Sequence, residues 1–451
     1  MRGAVRAGGL AVAMVDMLKA SGGIWCGWSG KLAPVSPERP EVTQADGMTA
    51  ATIELTQAEH DAYYNGFANS CLWPLFHNRI DLTAFDRSYY DGYLKVNAKF
   101  ARVFAPLFKA QDLIWVHDYH LIPFAQELRA MGCRQPMGFF LHIPFPPRDV
   151  LLTLPNAGRL LQALFAYDVI GFQTDRDVER FVDYVVNEQD GRVSGDVVTV
   201  FERSAVVRSF PIGIDVDNFV QLAGSAEAKR QAERLATRRF AGRQLIVGVD
   251  RLDYTKGLPL RFLAYELLLE TYPETHGRLV YLQIAPPTRG AVPEYAQIRA
   301  ELEGLEGHIN GRFAEVDWTP LAYINRAYSR RALAGIYRAA DISLVTPLRD
   351  GMNLVAKEYV AAQDPADPGV LVLSRFAGAA VQMRAALIVN PYDKVAVAEA
   401  LQTARHMPLE QRRNRHAELM RGLRDYDIDR WRTDFLEALA AAGARHVAAE
   451  A

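Results

Sequence analysis

The sequence predicts an α/β fold made of two Rossmann-like domains, each with a doubly wound parallel sheet. Short β-branched or aromatic runs alternate with longer helical patterns along the chain, which is typical of parallel sheets. This alternation occurs twice. A chain of 451 residues is also about three times the usual length of a single domain. We therefore predict a first domain at 1–212 and a second at 213–426, with the junction near Gly213.

Each predicted strand is a short apolar run in which β-branched or aromatic residues dominate. In the first half these runs are DLIWV (112–116), MGFFL (137–141) and DVIGF (168–172). In the second half they are QLIVGV (244–249), RLVYLQI (278–284), DISLVT (341–346), GVLVLS (369–374) and ALIVN (386–390). A helix is predicted for LIPFAQELRAMG (121–132), and one solvent-exposed helix for the charged segment 224–240.

Composition excludes several classes of partner. The chain has 51 basic and 53 acidic residues and a net charge of −2, so it has no global positive field for nucleic acid or an anionic membrane. No apolar run is long enough for a membrane span, and Asp16 and Lys19 interrupt the signal-like start. Three widely spaced cysteines favour a reducing cytoplasm. The sequence leaves open whether the chain forms a homo-oligomer.

Cationic residues follow two strands of the second domain. Arg251 and Lys256 come directly after QLIVGV, and Arg289 follows RLVYLQI. In open parallel sheets, ligands bind beyond the carboxyl ends of the strands. Two cations at such a place predict a site for a diphosphate. The alternative is that Arg251 and Lys256 are surface charges paired with Asp250 and Asp253.

A third strand of the second domain ends in a loop that leads into a helix. The loop spans 347–353, and the helix is predicted to open near Leu354. Its free N–H groups and positive dipole end favour an anion, and Glu358 lies about one turn further along. This loop strengthens the prediction of a phosphate site at this edge of the sheet.

Histidines and an aspartate follow strands of the first domain. His117, Asp118 and His120 come after one strand, and His142 after the next. Metal binding by this His-Asp-x-His pattern is disfavoured, because adjacent residues at a strand end point in different directions. The Asp-Val-Asp at 215–217 is discounted as well, because similar patterns recur at 425–429. We therefore predict neither a metal nor another cofactor. Serine hydrolase and P-loop motifs do not occur.

Long motifs resemble the bacterial, UDP-forming α,α-trehalose-phosphate synthase family. They are AGGLAV (7–12), WCGWSG (25–30), YYNGFANSCLWPLFH (63–77), WVHDYHLIPFAQELR (115–129), GFFLHIPFPP (138–147), RLDYTKGLPLRFLAYE (251–266), INGRFAEVDWTPL (309–321) and TPLRDGMNLVAKEYVAAQ (346–363). The resemblance implies a glycosyltransferase B fold, with two Rossmann-like domains facing a cleft. It also implies that a C-terminal helix beginning near 427 crosses back, so that 427–451 packs on the first domain.

The resemblance also implies substrates and site residues. The substrates are UDP-glucose as donor and glucose 6-phosphate as acceptor. The donor would be bound by Gly9, His142, Arg251, Lys256, Tyr328, Asp350, Asn353, Leu354, Val355 and Glu358. The acceptor would be bound by Trp28, Tyr64, Trp73, Asp118 and Arg289. Without the family, Tyr64 and Trp73 are predicted to be core aromatics.

The implied reaction is a metal-independent glucosyl transfer with retention of configuration. The catalytic residues that the resemblance implies are Asp118, His142, Arg251, Lys256 and Asp350. Negative charge grows on the departing UDP, and fixed cations and helix amides stabilise it. The family places no carboxylate nucleophile, so none is assigned, although a nucleophile is the usual device for retention. Asp118 is interpreted as orienting the acceptor, with a general-base role as the alternative.

Three departures from the family pattern affect these expectations. The family begins with a strand ending in Ser-Asn-Arg, which this sequence does not contain, so we expect a missing first strand and weak turnover. Gln382 stands where the family usually has an acidic residue, and Tyr328 where it often has phenylalanine. The alternative functions are glucosylglycerol-phosphate synthesis and binding of a sugar nucleotide without efficient catalysis.

Overall fold

The computed structural model describes residues 22–45, 48–235, 242–288 and 293–450. The chain forms two compact units. The described part of the N-terminal unit comprises 22–211 and 430–450, and the C-terminal unit comprises 212–429. The expectation that the family's first strand is missing concerns residues 1–21, which lie outside the described residues. No helix in the described ranges is long and apolar enough to cross a membrane.

Two sheets form the N-terminal unit. The smaller sheet has the order β1-β3-β2 and contains β1 (Ile24–Leu32), β2 (Glu41–Ala45) and β3 (Met48–Leu55). The larger sheet has the order β4-β5-β6-β9-β8-β7 and contains β4 (Ile114–His117), β5 (Met137–Phe140), β6 (Val169–Phe172), β7 (Arg192–Ser194), β8 (Val197–Val200) and β9 (Arg203–Ser209). The strands β4, β5, β6 and β9 are parallel, and β7 and β8 pair antiparallel. The three predicted strands match β4, β5 and β6.

Among the described residues of the N-terminal unit, seven α-helices come before the last helix of the chain. They are α1 (Gln57–His60), α2 (Trp73–Phe76), α3 (Arg87–Phe104), α4 (Phe124–Ala130), α5 (Arg148–Leu151), α6 (Ala157–Leu164) and α7 (Asp175–Gln189). A π-helix, Asp61–Leu72, joins α1 to α2. Thr56 and Glu59 form a capping box that starts α1. The helix predicted from Leu121 begins at Phe124, because Tyr119–Leu121 forms a 3₁₀ turn first.

The last helix, Ile428–Glu450, packs on the larger sheet of the N-terminal unit. Trp431 is 3% exposed and Phe435 is 0% exposed. The ring of Phe435 stacks on Trp115 with centroids 4.3 Å apart. Gly138 and Gly171 leave room for it, since a Cβ on Gly138 would lie 2.6 Å from the Phe435 ring. The prediction that the C-terminal helix returns to the first domain is confirmed.

A single six-stranded parallel sheet forms the centre of the C-terminal unit. Its order is β12-β11-β10-β13-β14-β15. The strands are β10 (Gln244–Val249), β11 (Leu279–Ile284), β12 (Leu321–Ile324), β13 (Ile342–Val345), β14 (Val370–Ser374) and β15 (Leu387–Val389). Their order reverses direction at β10 and β13, as in a doubly wound sheet. Five of the six strands were predicted, so the predicted fold class is confirmed.

Helices cover this sheet, and most begin at a side-chain cap. They are α8 (Val216–Gly224), α9 (Ala226–Arg234), α10 (Leu258–Thr271), α11 (Pro293–Phe313), α12 (Arg330–Ala339), α13 (Leu354–Ala362), α14 (Lys394–Arg405) and α15 (Leu409–Asp425). The single helix predicted for 224–240 is wrong at its start. Ser225 breaks the helical run and caps α9 by accepting a hydrogen bond from the Ala228 amide.

Over the described residues, the C-terminal unit begins and ends at one place. The Ile428 amide donates to the Ile214 carbonyl at 3.2 Å. A Cβ on Gly213 would lie 2.2 Å from the carbonyl carbon of Asp427. Only glycine therefore fits at position 213 while the two chain segments stay in contact.

The packing of the last helix can be tested with Phe435→Ala. We expect this change to lower the free energy of unfolding by about 3–5 kcal/mol, because it leaves a cavity between the helix and the sheet. Urea denaturation followed by tryptophan fluorescence measures it, since Trp115 and Trp431 lie 4.7 Å apart here. Thr433→Ala, at an exposed position of the same helix, is the control. Equal stability of the two variants would contradict this packing.

Candidate active site

The loop after β10 carries the two predicted cations. Arg251 is exposed, whereas Lys256 is 8% exposed and ends a 3₁₀ turn, Tyr254–Lys256. Asp253 caps this turn by accepting from the Thr255 amide at 2.9 Å. Gly257 then takes a φ of 66°, and a Cβ there would lie 2.8 Å from the Thr346 carbonyl oxygen. The turn is thereby fixed against the loop that follows β13.

Arg261, on helix α10, is buried behind this loop and bonds to it. Its side chain is fully buried, and Nη1 donates to Asp250 at 2.8 Å and to Gln283 at 3.0 Å. Its Nε donates to Thr346 at 3.0 Å, and Nη2 to the Lys256 carbonyl at 3.2 Å. Burial acts to lower the pKa of Arg261, but the charges and hydrogen bonds of Asp250 and Tyr281 together outweigh burial and raise the pKa. The guanidinium therefore stays charged and joins the ends of β10, β11 and β13.

The loop after β13 brings an aspartate to Lys256. The Lys256 Nζ and Asp350 Oδ2 atoms lie 2.5 Å apart, and Asn353 Nδ2 donates to the same oxygen at 3.1 Å. The partner of Lys256 is thus Asp350, and not the aspartates at 250 or 253 considered from sequence. Lys256, Asp350 and Asn353 form one hydrogen-bonded group.

Asn353 starts helix α13 and has an unusual backbone. Its φ is 75°, and its side chain accepts from the Ala356 amide at 3.3 Å. Leu354 and Val355 follow as the first two helical residues, and both are half-buried. Their amides are among the first N–H groups of the helix, which have no partner within a helix. The positive end of α13 therefore lies beside the Lys256 and Asp350 group.

Two adjacent buried residues of α13 have opposite pKa shifts. Burial raises the pKa of Glu358 to about 7, and the charge of Arg330 acts against this rise. Burial lowers the pKa of Lys357 to about 7. The Lys357 Nζ donates to the Ile212 carbonyl at 2.7 Å and to Gln382 Oε1 at 2.8 Å. Its two hydrogen-bond acceptors are neutral, which explains why its charge is poorly compensated.

Tyr328 lies in the loop between β12 and α12 and is half-buried. The guanidinium of Arg326 lies 5.0 Å from the centre of its ring, and Nη2 donates to the Tyr328 hydroxyl at 3.2 Å. Ser329 then caps α12 through the Ala332 amide. The ring is therefore held by a cation at the entrance to this helix.

In the N-terminal unit, Asp118 and His142 follow neighbouring parallel strands. Asp118 has a φ of 74°, and its Oδ1 accepts from the His142 amide at 3.3 Å. The His142 ring is held by His117, whose Nδ1 lies 3.1 Å from His142 Nε2. The structure therefore brings Asp118 and His142 together, as expected for residues at the carboxyl ends of adjacent strands.

The three aromatic residues predicted for the acceptor differ in exposure. Trp28 and Tyr64 have ring centroids 5.4 Å apart and are half-buried. The Tyr64 ring stacks on His120 at 5.5 Å. Trp73 is 4% exposed and packs on Tyr119 at 5.9 Å. Tyr64 is thus not a core residue, whereas Trp73 is buried as its residue type predicts.

Two predicted site residues, Gly9 and Arg289, lie outside the described residues. Sequence reasoning missed Arg261, Lys357 and the structural role of His117. A signal was present for two of them, because Arg261 and Lys357 are charged residues within apolar helical runs. Within the ranges that the structure describes, no group of three or more His, Cys, Asp or Glu side chains could hold a metal ion.

Two α/β units with polar residues after their parallel strands are the arrangement expected of a two-domain glycosyltransferase, and comparison with known proteins establishes this class. The model of glycosyltransferase family 20 matches residues 2–441. This chain belongs to glycosyltransferase family 20.

Individual relatives share most of their length with the chain. Trehalose-6-phosphate synthase of Cronobacter sakazakii is 47% identical over 96% of the chain and 91% of the relative. A UDP-forming α,α-trehalose-phosphate synthase from Burkholderia xenovorans, solved with glucose-6-phosphate, has a TM-score of 0.93 and 48% identity over 96% of this chain and 97% of that one. A structure described as trehalose-6-phosphate from E. coli bound with UDP-2-fluoro glucose has a TM-score of 0.91 and 47% identity, with 96% of each chain covered.

The lowered pKa of Lys357 can be tested with Gln382→Glu, which places a carboxylate beside the buried amino group. The lysine pKa is about 7 in the folded protein against 10.5 ordinarily. Between these values the unfolded chain binds more protons, so the free energy of unfolding rises with pH. A carboxylate at 382 returns the pKa towards its ordinary value. We expect the rise in the free energy of unfolding with pH, between pH 7 and 10, to become smaller by about 1 kcal/mol per pH unit.

Urea denaturation at a series of pH values measures this slope. Val381→Glu is the matched control, because Val381 is the neighbouring residue and is 56% exposed. It adds the same charge without the contact to Lys357. If Gln382→Glu and the parent protein have the same slope, Lys357 is not the group that makes the free energy of unfolding depend on pH.

Proposed function

We propose that this protein transfers glucose from UDP-glucose to glucose 6-phosphate, giving α,α-trehalose 6-phosphate and UDP with retention of configuration. The observation that carries the proposal is the group formed by Lys256, Asp350 and Asn353 at the start of α13. It lies beyond the strand ends, where nucleotides bind in doubly wound sheets. The names of the relatives and their near-complete coverage support the same reaction.

The C-terminal unit supplies the site for the nucleotide sugar. Arg251 and Lys256 bind the diphosphate, together with the backbone amides of Asn353, Leu354 and Val355. Helix N-termini are well suited to this task, because their amides and dipole attract phosphate. Glu358, one turn into α13, accepts hydrogen bonds from the ribose hydroxyls, and Tyr328 lies against the base.

Asp350 has two roles in this proposal. Its carboxylate compensates the charge of Lys256 at a separation of 2.5 Å, which keeps the ammonium in place before the donor binds. The diphosphate then gives Lys256 a second anionic partner. Asp350 and His142 bind hydroxyl groups of the donor glucose.

Catalysis rests on charge stabilisation at the leaving group. As the glycosidic bond breaks, negative charge grows on the departing UDP, next to Arg251, Lys256 and the helix amides. Preorganised donors of this kind stabilise the transition state without rearrangement. Because no nucleophile is assigned, the proposal has the acceptor hydroxyl attack on the face that UDP leaves, with its proton passing to the leaving phosphate.

The N-terminal unit supplies the site for glucose 6-phosphate. Asp118 orients the attacking sugar, and Trp28, Tyr64 and Trp73 line its site. Arg289, in the C-terminal half of the sequence, binds the acceptor phosphate. We also place the reaction in the cytoplasm, because Cys26, Cys71 and Cys133 are all free thiols, as a reducing compartment favours.

Product analysis tests the proposed function. The purified protein is incubated with UDP-glucose and glucose 6-phosphate, and the sugar phosphate product is identified by NMR. We expect an α,α-linked disaccharide phosphate and one UDP for each product molecule, also in the presence of EDTA. Product formed only with glycerol 3-phosphate would assign the chain to glucosylglycerol-phosphate synthesis. Binding of UDP-glucose without product would assign it to sugar-nucleotide binding.

The two cations are tested with Arg251→Ala and Lys256→Ala. Each removes a donor to the charge that grows in the transition state, which costs on the order of 3 kcal/mol, or at least a hundredfold in kcat. Steady-state kinetics with both substrates measure this loss. Arg278→Ala, at an exposed position of the same unit, is expected to retain full activity. Near-normal kcat in both test variants would refute the assignment of the diphosphate site.

A further inference from the structure

A pair of histidines links two neighbouring strands of the N-terminal unit. His117 is the last residue of β4 and lies opposite Phe140 of β5. His142 follows two residues after Phe140. The Nδ1 atom of His117 and the Nε2 atom of His142 are 3.1 Å apart. The direct bond therefore uses one specific nitrogen of each ring.

Both imidazoles are neutral at physiological pH. Burial lowers the pKa of His117 to about 3. Burial also lowers the pKa of His142 far below its ordinary value, and proximity to His117 adds to the effect. A hydrogen bond between two neutral imidazoles needs one ring to donate and the other to accept. The bond consequently couples the tautomers of the two rings: either both rings carry their proton on Nδ1, or both carry it on Nε2.

The surroundings hold the His142 ring in one orientation. Phe140 meets it edge to face at 4.7 Å, and Trp431 of the last helix lies 6.2 Å away. Asp118 accepts a hydrogen bond from the backbone amide of His142 rather than from its ring. In the part of the chain that the structure describes, His117 is the hydrogen-bond partner of the His142 ring. Its Nε2 is occupied, and Nδ1 is the nitrogen left to contact a ligand.

We propose that His117 is a positioning residue, which fixes the tautomer and ring orientation of His142 and so directs His142 Nδ1 at the donor glucose. This inference rests on the proposed function, in which His142 binds that sugar. The direction of the bond decides the role of Nδ1. If His117 donates, Nδ1 of His142 carries the proton and donates to a sugar oxygen. If His117 accepts, Nδ1 is an acceptor for a sugar hydroxyl.

The tautomer can be read directly from nitrogen chemical shifts. The chain has 10 histidines, which are labelled selectively with ¹⁵N, and the His142 signals are identified by their loss in His142→Asn. We expect one tautomer of His142 in the parent protein and a mixture in His117→Leu. A mixture already present in the parent protein would overturn the proposal, and so would His142 signals that are the same in the parent protein and in His117→Leu.

Kinetics supply the second readout. His117→Leu should lower kcat at least tenfold and leave the KM for glucose 6-phosphate within twofold. His117→Asn should restore most of the loss, because its amide can take the place of Nδ1 as donor or acceptor. His416→Leu is the control. It removes a buried histidine elsewhere in the chain, whose ring bonds the Val360 carbonyl. Equal kcat in His117→Leu and the parent protein would overturn the positioning role.

The two readouts separate this inference from the proposed function. If the parent protein forms no disaccharide phosphate, the proposed function fails, and the ¹⁵N spectra alone decide on the histidine pair. If it forms the product but the tautomer of His142 does not depend on His117, the inference fails and the proposed function stands. If His117→Leu does not fold, the spectrum of the parent protein and the activity of His117→Asn decide.

Discussion

The buried ion pair between Arg261 and Asp250 is the interaction on which the C-terminal unit's site depends. Arg261 contacts the ends of three strands and the turn that carries Lys256, all through one planar group. Its five N–H donors form a rigid fork, so several partners can be fixed at once. Removing one member of a buried pair leaves an uncompensated charge and typically costs about 3–5 kcal/mol. The position of Lys256 thus depends on a fully buried residue, Arg261.

The central strands of both units were predictable from sequence, for a physical reason. Strands buried on both faces are continuous apolar runs, and β10, β11, β13 and β14 are of this kind. The strands β1 and β7 have mostly exposed or half-buried residues, so no apolar run marks them. The π-helix at Asp61–Leu72 was not predicted either, because its i to i+5 pattern has no sequence signature as strong as an amphipathic α-helix.

The candidate site was predictable where topology alone places a residue. Arg251, Lys256, Asp118 and His142 all follow predicted strands, and the rule for open sheets sufficed for them. The roles of Arg261 and Lys357 could not be predicted, because they depend on partners distant in sequence. Arg261 bonds Thr346, and Lys357 bonds Ile212. Both side chains are buried, and neither their burial nor their partners can be read from the sequence before the chain is folded.

The contact at Gly213 bears on how such proteins can be recombined. The chain passes into the C-terminal unit beside the segment by which it leaves, and the two touch at Gly213 and Asp427. A natural or designed chimera that exchanges this unit must therefore place both breakpoints at one spot in space, although they are far apart in the sequence. A C-terminal unit taken from another member of the family has to bring its own glycine and its own returning segment together. Over its described residues, the C-terminal unit therefore begins and ends at one place in space.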